Sequence, residues 1–167
     1  LAYRRQTGKG QHIDLSMLEP MIHSMKVPLM DYQFNQREQT RVGNRHPSAS
    51  PHGAFRCRDE EYCTIAVFTQ EQWQALCSTM SNPAWCQEER FVTPEARKAN
   101  EDELEAGIEA WTKTLTAHEV MEKLQGVKVP AGVVQTLEDI MDKDPQIKVM
   151  ETFPKLEHPV IGEASRS

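Results

Sequence analysis

Residues 54–68 read AFRCRDEEYCTIAVF. AFRCRD and EYCTIAVF each have the length and β-branched or aromatic content of a short strand, and Asp59 and Glu60 fall at the turn between them, so the stretch is read as a β-hairpin. Downstream, Trp73, Leu76, Cys77 and Met80 recur at helical spacing. Thr93 followed by Pro94 is a helix start, with Thr as cap and Pro at the first position. The helix it opens carries Leu104, Ile108, Trp111 and Leu115 on one face and Glu and Lys on the other, a solvated surface. Thr116 with Glu119 forms a capping box ahead of Val120, Met121 and Leu124. GVKVPAGVVQT then turns into a strand at 132–135, and Thr136 with Asp139 caps a short helix bearing Leu137, Ile140 and Met141. The tail reads as irregular strand pieces with turns at Pro154, Pro159 and Gly162.

Upstream of the hairpin the pattern changes. LAYRRQTGKGQ reads as the last turn of a helix, basic at its end and followed by Gly8, with its beginning expected before Leu1. Ile13 and Leu15 alternate with polar neighbours as a short strand would. Ser16 with Glu19 then opens a helix whose stripe of Met17, Leu18, Met21, Ile22 and Met25 is expected to serve core or interhelical packing. Pro28 is expected to end or kink that helix. Residues 31–53 hold two glycines, two prolines and no sustained period, which reads as a long loop or linker. The fold class is α/β: an α+β small domain of hairpin and strands packed with amphipathic helices, after a helix-strand-helix segment. The expected divisions are 1–30, 31–53, 54–154 and 155–167.

The chain has 167 residues, 19 Lys plus Arg against 25 Asp plus Glu, and a net charge of -6. That balance argues against a phosphate-backbone binder. Its AVILMFWYC fraction of 38% leaves a thin core, room for one domain or one lobe. No window approaches the roughly 18 apolar residues of a membrane span. Cys57, Cys63, Cys77 and Cys86 contain no C-x-x-C spacing and read as reduced thiols of a cytoplasmic protein. Gly8-Lys9-Gly10 lacks the rest of a phosphate loop, and there is no G-x-S-x-G elbow. His46 and His52 share a segment, with Asp59 as the nearest further metal ligand, but polar loop histidines are the simpler reading. Asp14 and Glu19 have no second titratable group at a forced spacing that would mark them as catalytic. Arg41, Asn44, Arg45, His46 and His52 surround prolines in a loop that is either ligand-facing or a surface connector.

At that loop a resemblance enters. RVGNRHPSASPHGAFRC (41–57), EYCTIAV (61–67) and the helix ending QALC (74–77) resemble the family III CoA-transferases, the group that includes formyl-CoA transferase, carnitine CoA-transferase and α-methylacyl-CoA racemase. TGKGQHIDLSMLE (7–19), RFVTPEARKAN (90–100), VPAGVVQTLEDIMDKDPQ (129–146) and HPVIG (158–162) match in order, so the resemblance covers nearly the whole chain. It implies a Rossmann-like large domain, a small domain joined by long linkers, and two interlocked chains, hence a homodimer. Here 1–30 would end the large-domain segment and 155–167 would begin the return to it. It implies acyl-CoA and a carboxylic acid as substrates, coenzyme A as substrate and not as a bound cofactor, and no metal. The nucleophilic Asp would lie upstream of Leu1, so no residue here is assigned a catalytic role and the chain alone is expected to be inactive.

By the same resemblance, Asn44, His46, Pro47, His52 and Gly53 would bind substrate. The loop HPSASPHG has no glycine before Gly53, unlike the glycine-rich loop of formyl-CoA transferase, and resembles the more general members. The turn Asp59-Glu60-Glu61 lacks a glycine often found there, a change expected to alter only the hairpin. An acyl-CoA racemase, or a stand-alone binding or assembly module, are the alternative readings.

Overall fold

The computed structural model describes residues 1–152, 155–160 and 162–165. The chain divides into two compact units, Leu1–Val42 and Gly43–Ser167.

The first unit holds three helices, α1 (Ala2–Thr7), α2 (Leu18–Ser24) and α3 (Lys26–Asn35). α1 ends on Gly8 in the left-handed region, with Arg4 and Arg5 in its last turn, as its sequence signals. Three expectations are corrected in this unit. Residues 9–16 contain no strand, because two alternating apolar residues give a ladder nothing to pair with. The Met17, Leu18, Met21, Ile22 and Met25 stripe is not core: Met17 is 85% and Met21 61% exposed, and α2 and α3 bury no residue. The helix break falls at Met25, ahead of Pro28, which sits in the first turn of α3 where its missing N–H costs nothing. Helix therefore continues to Asn35, into the segment read as loop.

In the second unit, β1 (His52–Arg56) and β2 (Tyr62–Ala66) form the hairpin, and β3 (Ala131–Val133) joins β2, giving an antiparallel sheet of order β1-β2-β3. Ala54 pairs with Thr64, and Thr64 with Gly132. Because strand side chains alternate, Phe55, Cys63 and Ile65 enter the core while His52, Ala54, Thr64 and Ala66 share the outer face.

Eight further elements complete this unit before the tail. Thr69 caps α4 (Gln70–Thr79) in a capping box with Gln72. A 3-10 turn at Ala84–Gln87 leads to α5 (Glu89–Val92). Thr93 and Pro94 do start a helix, but α6 (Pro94–Ala99) stops at Asn100, and Leu104 and Ile108 belong to α7 (Glu101–Thr112). The Asn100 side chain donates to Ala96 O at 2.8 Å, closing α6. Thr116 and Glu119 box the start of α8 (Ala117–Gly126) as expected. Thr136 bonds Asp139 ahead of a π-helical turn at Asp139–Lys143, and Asp144 caps α9 (Pro145–Val149).

α7 packs on β1, and α8 on β2, β3 and α4. Leu104 and Ile108 of α7, Val120 and Leu124 of α8, and Trp73 and Leu76 of α4 fill the core. Each such side chain contributes roughly 1.5–3 kcal/mol on burial. In the tail, β4 (Lys155–His158) and β5 (Gly162–Ser165) pair antiparallel. The expected turn at Pro154 and Ile161 of the HPVIG motif lie outside the described residues. Among the described residues, no helix is long and apolar enough to cross a membrane.

Candidate functional site

The loop that precedes β1 is pinned from several directions. Arg45 makes a two-toothed contact with Glu105 of α7, Nε donating to Oε1 at 2.9 Å and Nη2 to Oε2 at 2.7 Å, and also pairs with Asp102. Glu105 and then Asp102 hold the Arg45 guanidinium above its ordinary pKa, so it stays charged. Fork-to-fork geometry of this kind fixes direction as well as distance. Lys98 Nζ donates to His46 O at 2.7 Å and pairs with Glu101 at 2.8 Å. His46 and Ala49 form an isolated antiparallel bridge, and the Ser50-Pro51 peptide is cis.

Two imidazoles stand together at the ends of this loop. The His46 and His52 ring centroids are 5.3 Å apart, and Phe68 meets both edge-on, at 5.6 and 6.0 Å. Their hydrogen bonds assign their tautomers. His52 Nδ1 lies 2.5 Å from Asn44 O, and a carbonyl oxygen only accepts, so Nδ1 carries the proton. His46 Nδ1 accepts from the Ser48 N–H at 3.2 Å. In neutral form, then, His52 has its lone pair on Nε2 and His46 its N–H there. The pair offers one acceptor, His52 Nε2, and one donor, His46 Nε2–H, beside an aromatic edge, and the donor suits a carbonyl or carboxylate oxygen.

Asn44, His52 and Gly53 line a cleft of about 790 Å³ together with Gly43 and Arg45 from the loop and Ala54, Thr64, Ala66, Pro130 and Gly132 from the outer face of the sheet. Its floor is built of small residues, which leaves the cleft open. Thr64 Oγ1 donates to Gly132 O at 3.0 Å, which turns the one polar side chain of the floor inward to the backbone. Such a concavity, mostly apolar with a few convergent polar groups, has the character of a small-molecule site. Pro47 lines a different and smaller cavity of about 190 Å³, with Ser50, Pro94 and Lys98 among its walls. His46 lines neither but reaches the cleft's edge through its contact with His52.

The structure thus brings Asn44, His52 and Gly53 into one cleft, sets His46 beside them, and places Pro47 in the loop between. Asp59 is not near the histidines as a ligand: its carboxylate accepts from the Ala117 N–H at 3.1 Å and caps α8. Lys98, Glu105, Phe68 and Gly132 were not legible as site residues. A cation two-thirds buried against a loop carbonyl reads in sequence as one more surface lysine of RFVTPEARKAN.

The family model described as CoA-transferase family III matches residues 1–166. Succinyl-CoA:mesaconate CoA-transferase of Haloarcula marismortui is 32% identical over 157 residues, covering 94% of this chain and 38% of the relative. A probable CoA-transferase of Mycobacterium tuberculosis is 30% identical, over 97% of this chain and 20% of that protein. The crystal structure of a CAIB/BAIF family protein from Brucella suis superposes with a TM-score of 0.76 at 29% identity, covering 99% of this chain and 47% of that one. This chain therefore spans less than half the length of these relatives.

Proposed function

The chain belongs to CoA-transferase family III, and from that premise we propose that it forms the small-domain wall of a site at which coenzyme A passes from one carboxylic acid to another. The cleft of about 790 Å³ between the RVGNRHP loop and the outer sheet face carries this reading. In it the acyl part of an acyl-CoA lies along Ala54, Thr64 and Gly132, with Asn44, His52 and Gly53 shaping its end, His46 at its edge, and Pro47 binding through the loop that carries them. The nucleophile is an aspartate supplied from outside these 167 residues. Its carboxylate attacks the thioester carbonyl, the C–S bond breaks, CoA thiolate leaves, and an aspartyl mixed anhydride remains. An anhydride hydrolyses readily, so the loop's service is to exclude water while the acceptor acid arrives. The Nε2–H of His46 donates a hydrogen bond to an acyl or carboxylate oxygen, while His52, whose free Nε2 only accepts, orders the mouth beside it; neither is the attacking group.

CoA is a substrate in this scheme and no metal takes part. The four buried thiols support a reducing cytoplasm as its compartment, and the working unit is a homodimer. The test is a transfer assay with the full-length protein, succinyl-CoA as donor, and mesaconate, citramalate, oxalate and glutarate as acceptors, with new thioesters separated by chromatography. At least one acceptor is expected to yield its CoA thioester with stoichiometric loss of succinyl-CoA. Failure of all, with the donor intact or merely hydrolysed, overturns the reading.

A further inference from the structure

Arg97, on α6, is 2% exposed. Its Nε donates to Ser50 O at 3.1 Å, and its Nη1 to Gln70 Oε1 at 3.1 Å, Phe91 O at 3.0 Å and Val92 O at 3.3 Å. Its Cζ lies 4.8 Å from the centre of the Trp73 ring. Every hydrogen bond it makes among the described residues goes to an uncharged oxygen. A buried cation without a paired carboxylate is costly, and an apolar side chain of the same volume would pack there at lower cost. What an apolar side chain cannot do is join separate segments through one rigid fork. The fork here joins the site loop at Ser50, the first turn of α4 at Gln70, and the α5 end at Phe91 and Val92, over the face of Trp73.

Its sequence neighbour works on the same loop. Lys98 Nζ holds His46 O, so two consecutive residues of α6 seize the loop at His46 and at Ser50. Ser50 is two residues before His52, so α6 grips the backbone at His46 itself and within two residues of His52. We propose that Arg97 is a positioning residue, which fixes the backbone of 46–52 so that the His46 and His52 rings keep their place at the mouth of the cleft, with Lys98 as its partner at the loop's other end. The inference rests on the reading of that cleft as the acyl site.

The test compares Arg97→Met, Arg97→Lys and Lys98→Met with the wild type in the full-length protein, by amide hydrogen exchange and by the succinyl-CoA transfer assay. Arg97→Met is expected to speed exchange of 46–53 by about tenfold or more, the loss of one charge-assisted hydrogen bond, while 63–67 and 104–124 keep their rates. KM for the acyl-CoA is expected to rise about tenfold with kcat changed less than threefold. Arg97→Lys is expected to fail to rescue, since an ammonium cannot reproduce the fork. Lys98→Met is partly exposed and should fold even if the Arg97 variants do not; it is expected to loosen 46–48 alone. Loop exchange that rises no more than that of the core in Arg97→Met, full rescue by Arg97→Lys, or an unchanged loop in Lys98→Met overturns the proposal. Selective loosening without transfer activity in the wild type leaves Arg97 as the loop's anchor and removes the transferase reading instead.

Discussion

Replacing Gly107 with Ala adds one methyl group to the middle of α7 and sets two effects of opposite sign against each other. In an exposed helix the change stabilises by about 1 kcal/mol, because glycine has the larger backbone entropy to lose. Here the new Cβ would stand 2.9 Å from Trp85 Cζ2, 3.1 Å from Cε2 and 3.2 Å from Cη2. These are atoms of a rigid indole, not the tip of a flexible chain. The ring is also hemmed in, 6.3 Å from Trp73 and 5.5 Å edge-on to Phe91. Overpacking a filled site costs roughly 1–3 kcal/mol, so a net loss of about 1 kcal/mol is expected. Urea unfolding followed by tryptophan fluorescence measures it directly. Gly126→Ala is the control, since nothing lies within 4 Å of the Cβ it would gain, and it should be neutral or stabilising. Because Trp73 also carries the Arg97 guanidinium, a displaced Trp85 should loosen the 46–53 loop as well. A Gly107→Ala protein as stable as the wild type would refute the packing argument.

The hairpin turn, the thiols and the cleft floor give three further expectations. Glu60 sits at φ 67°, where glycine is at ease and other residues are strained. Glu60→Gly should therefore stabilise by up to about 1 kcal/mol in thermal unfolding despite losing the exposed Arg56 ion pair, and a clear loss of stability would count against it. Burial raises all four thiols above their ordinary value of 9.0, Cys63 to about 12. The unfolded chain then releases thiol protons that the folded chain keeps, so stability should fall as pH rises from about 9 toward 12, with a shallower slope in Cys63→Ala. At pH 8 a disulfide reagent should find the thiols only after denaturant is added; prompt labelling of the native protein would contradict their burial. Gly132→Leu should leave stability within about 1 kcal/mol, because a Cβ at Gly132 meets only Thr64 Oγ1 at 3.5 Å, yet it should fill the cleft and raise the acyl-CoA KM more than tenfold. An unchanged KM would place the substrate elsewhere.

The parts of the fold that could be read in advance are those fixed by local chemistry. Thr116 and Glu119 form their capping box, Thr93 and Pro94 start a helix, and the turn at Asp59 and Glu60 joins a true hairpin. What failed was inference from an apolar pattern to a partner. Ile13 and Leu15 alternate without a neighbouring strand, and the methionines of α2 make a helical stripe that packs on nothing in its own unit. Asn100 broke one expected helix into two because its side chain bonds back to Ala96 O, an outcome the Leu104 and Ile108 spacing alone does not reveal. The site was half legible. Asn44, His46 and His52 stood out as polar residues among prolines, and the family motif marked them. Arg97, Lys98 and Glu105 lie 47 to 60 residues from their loop partners on an otherwise ordinary charged helix pair, and only the fold shows that their charges face the loop.

The most direct measurement is amide hydrogen exchange of the full-length protein with and without a saturating, non-transferring acyl-CoA analogue. Slower exchange is expected at 43–54, 64–66 and 130–134, the loop and sheet face that bound the cleft, with 104–124 behind them unchanged. An analogue that binds but leaves these three segments at their free rates would contradict the assignment of the cleft as the acyl-CoA wall.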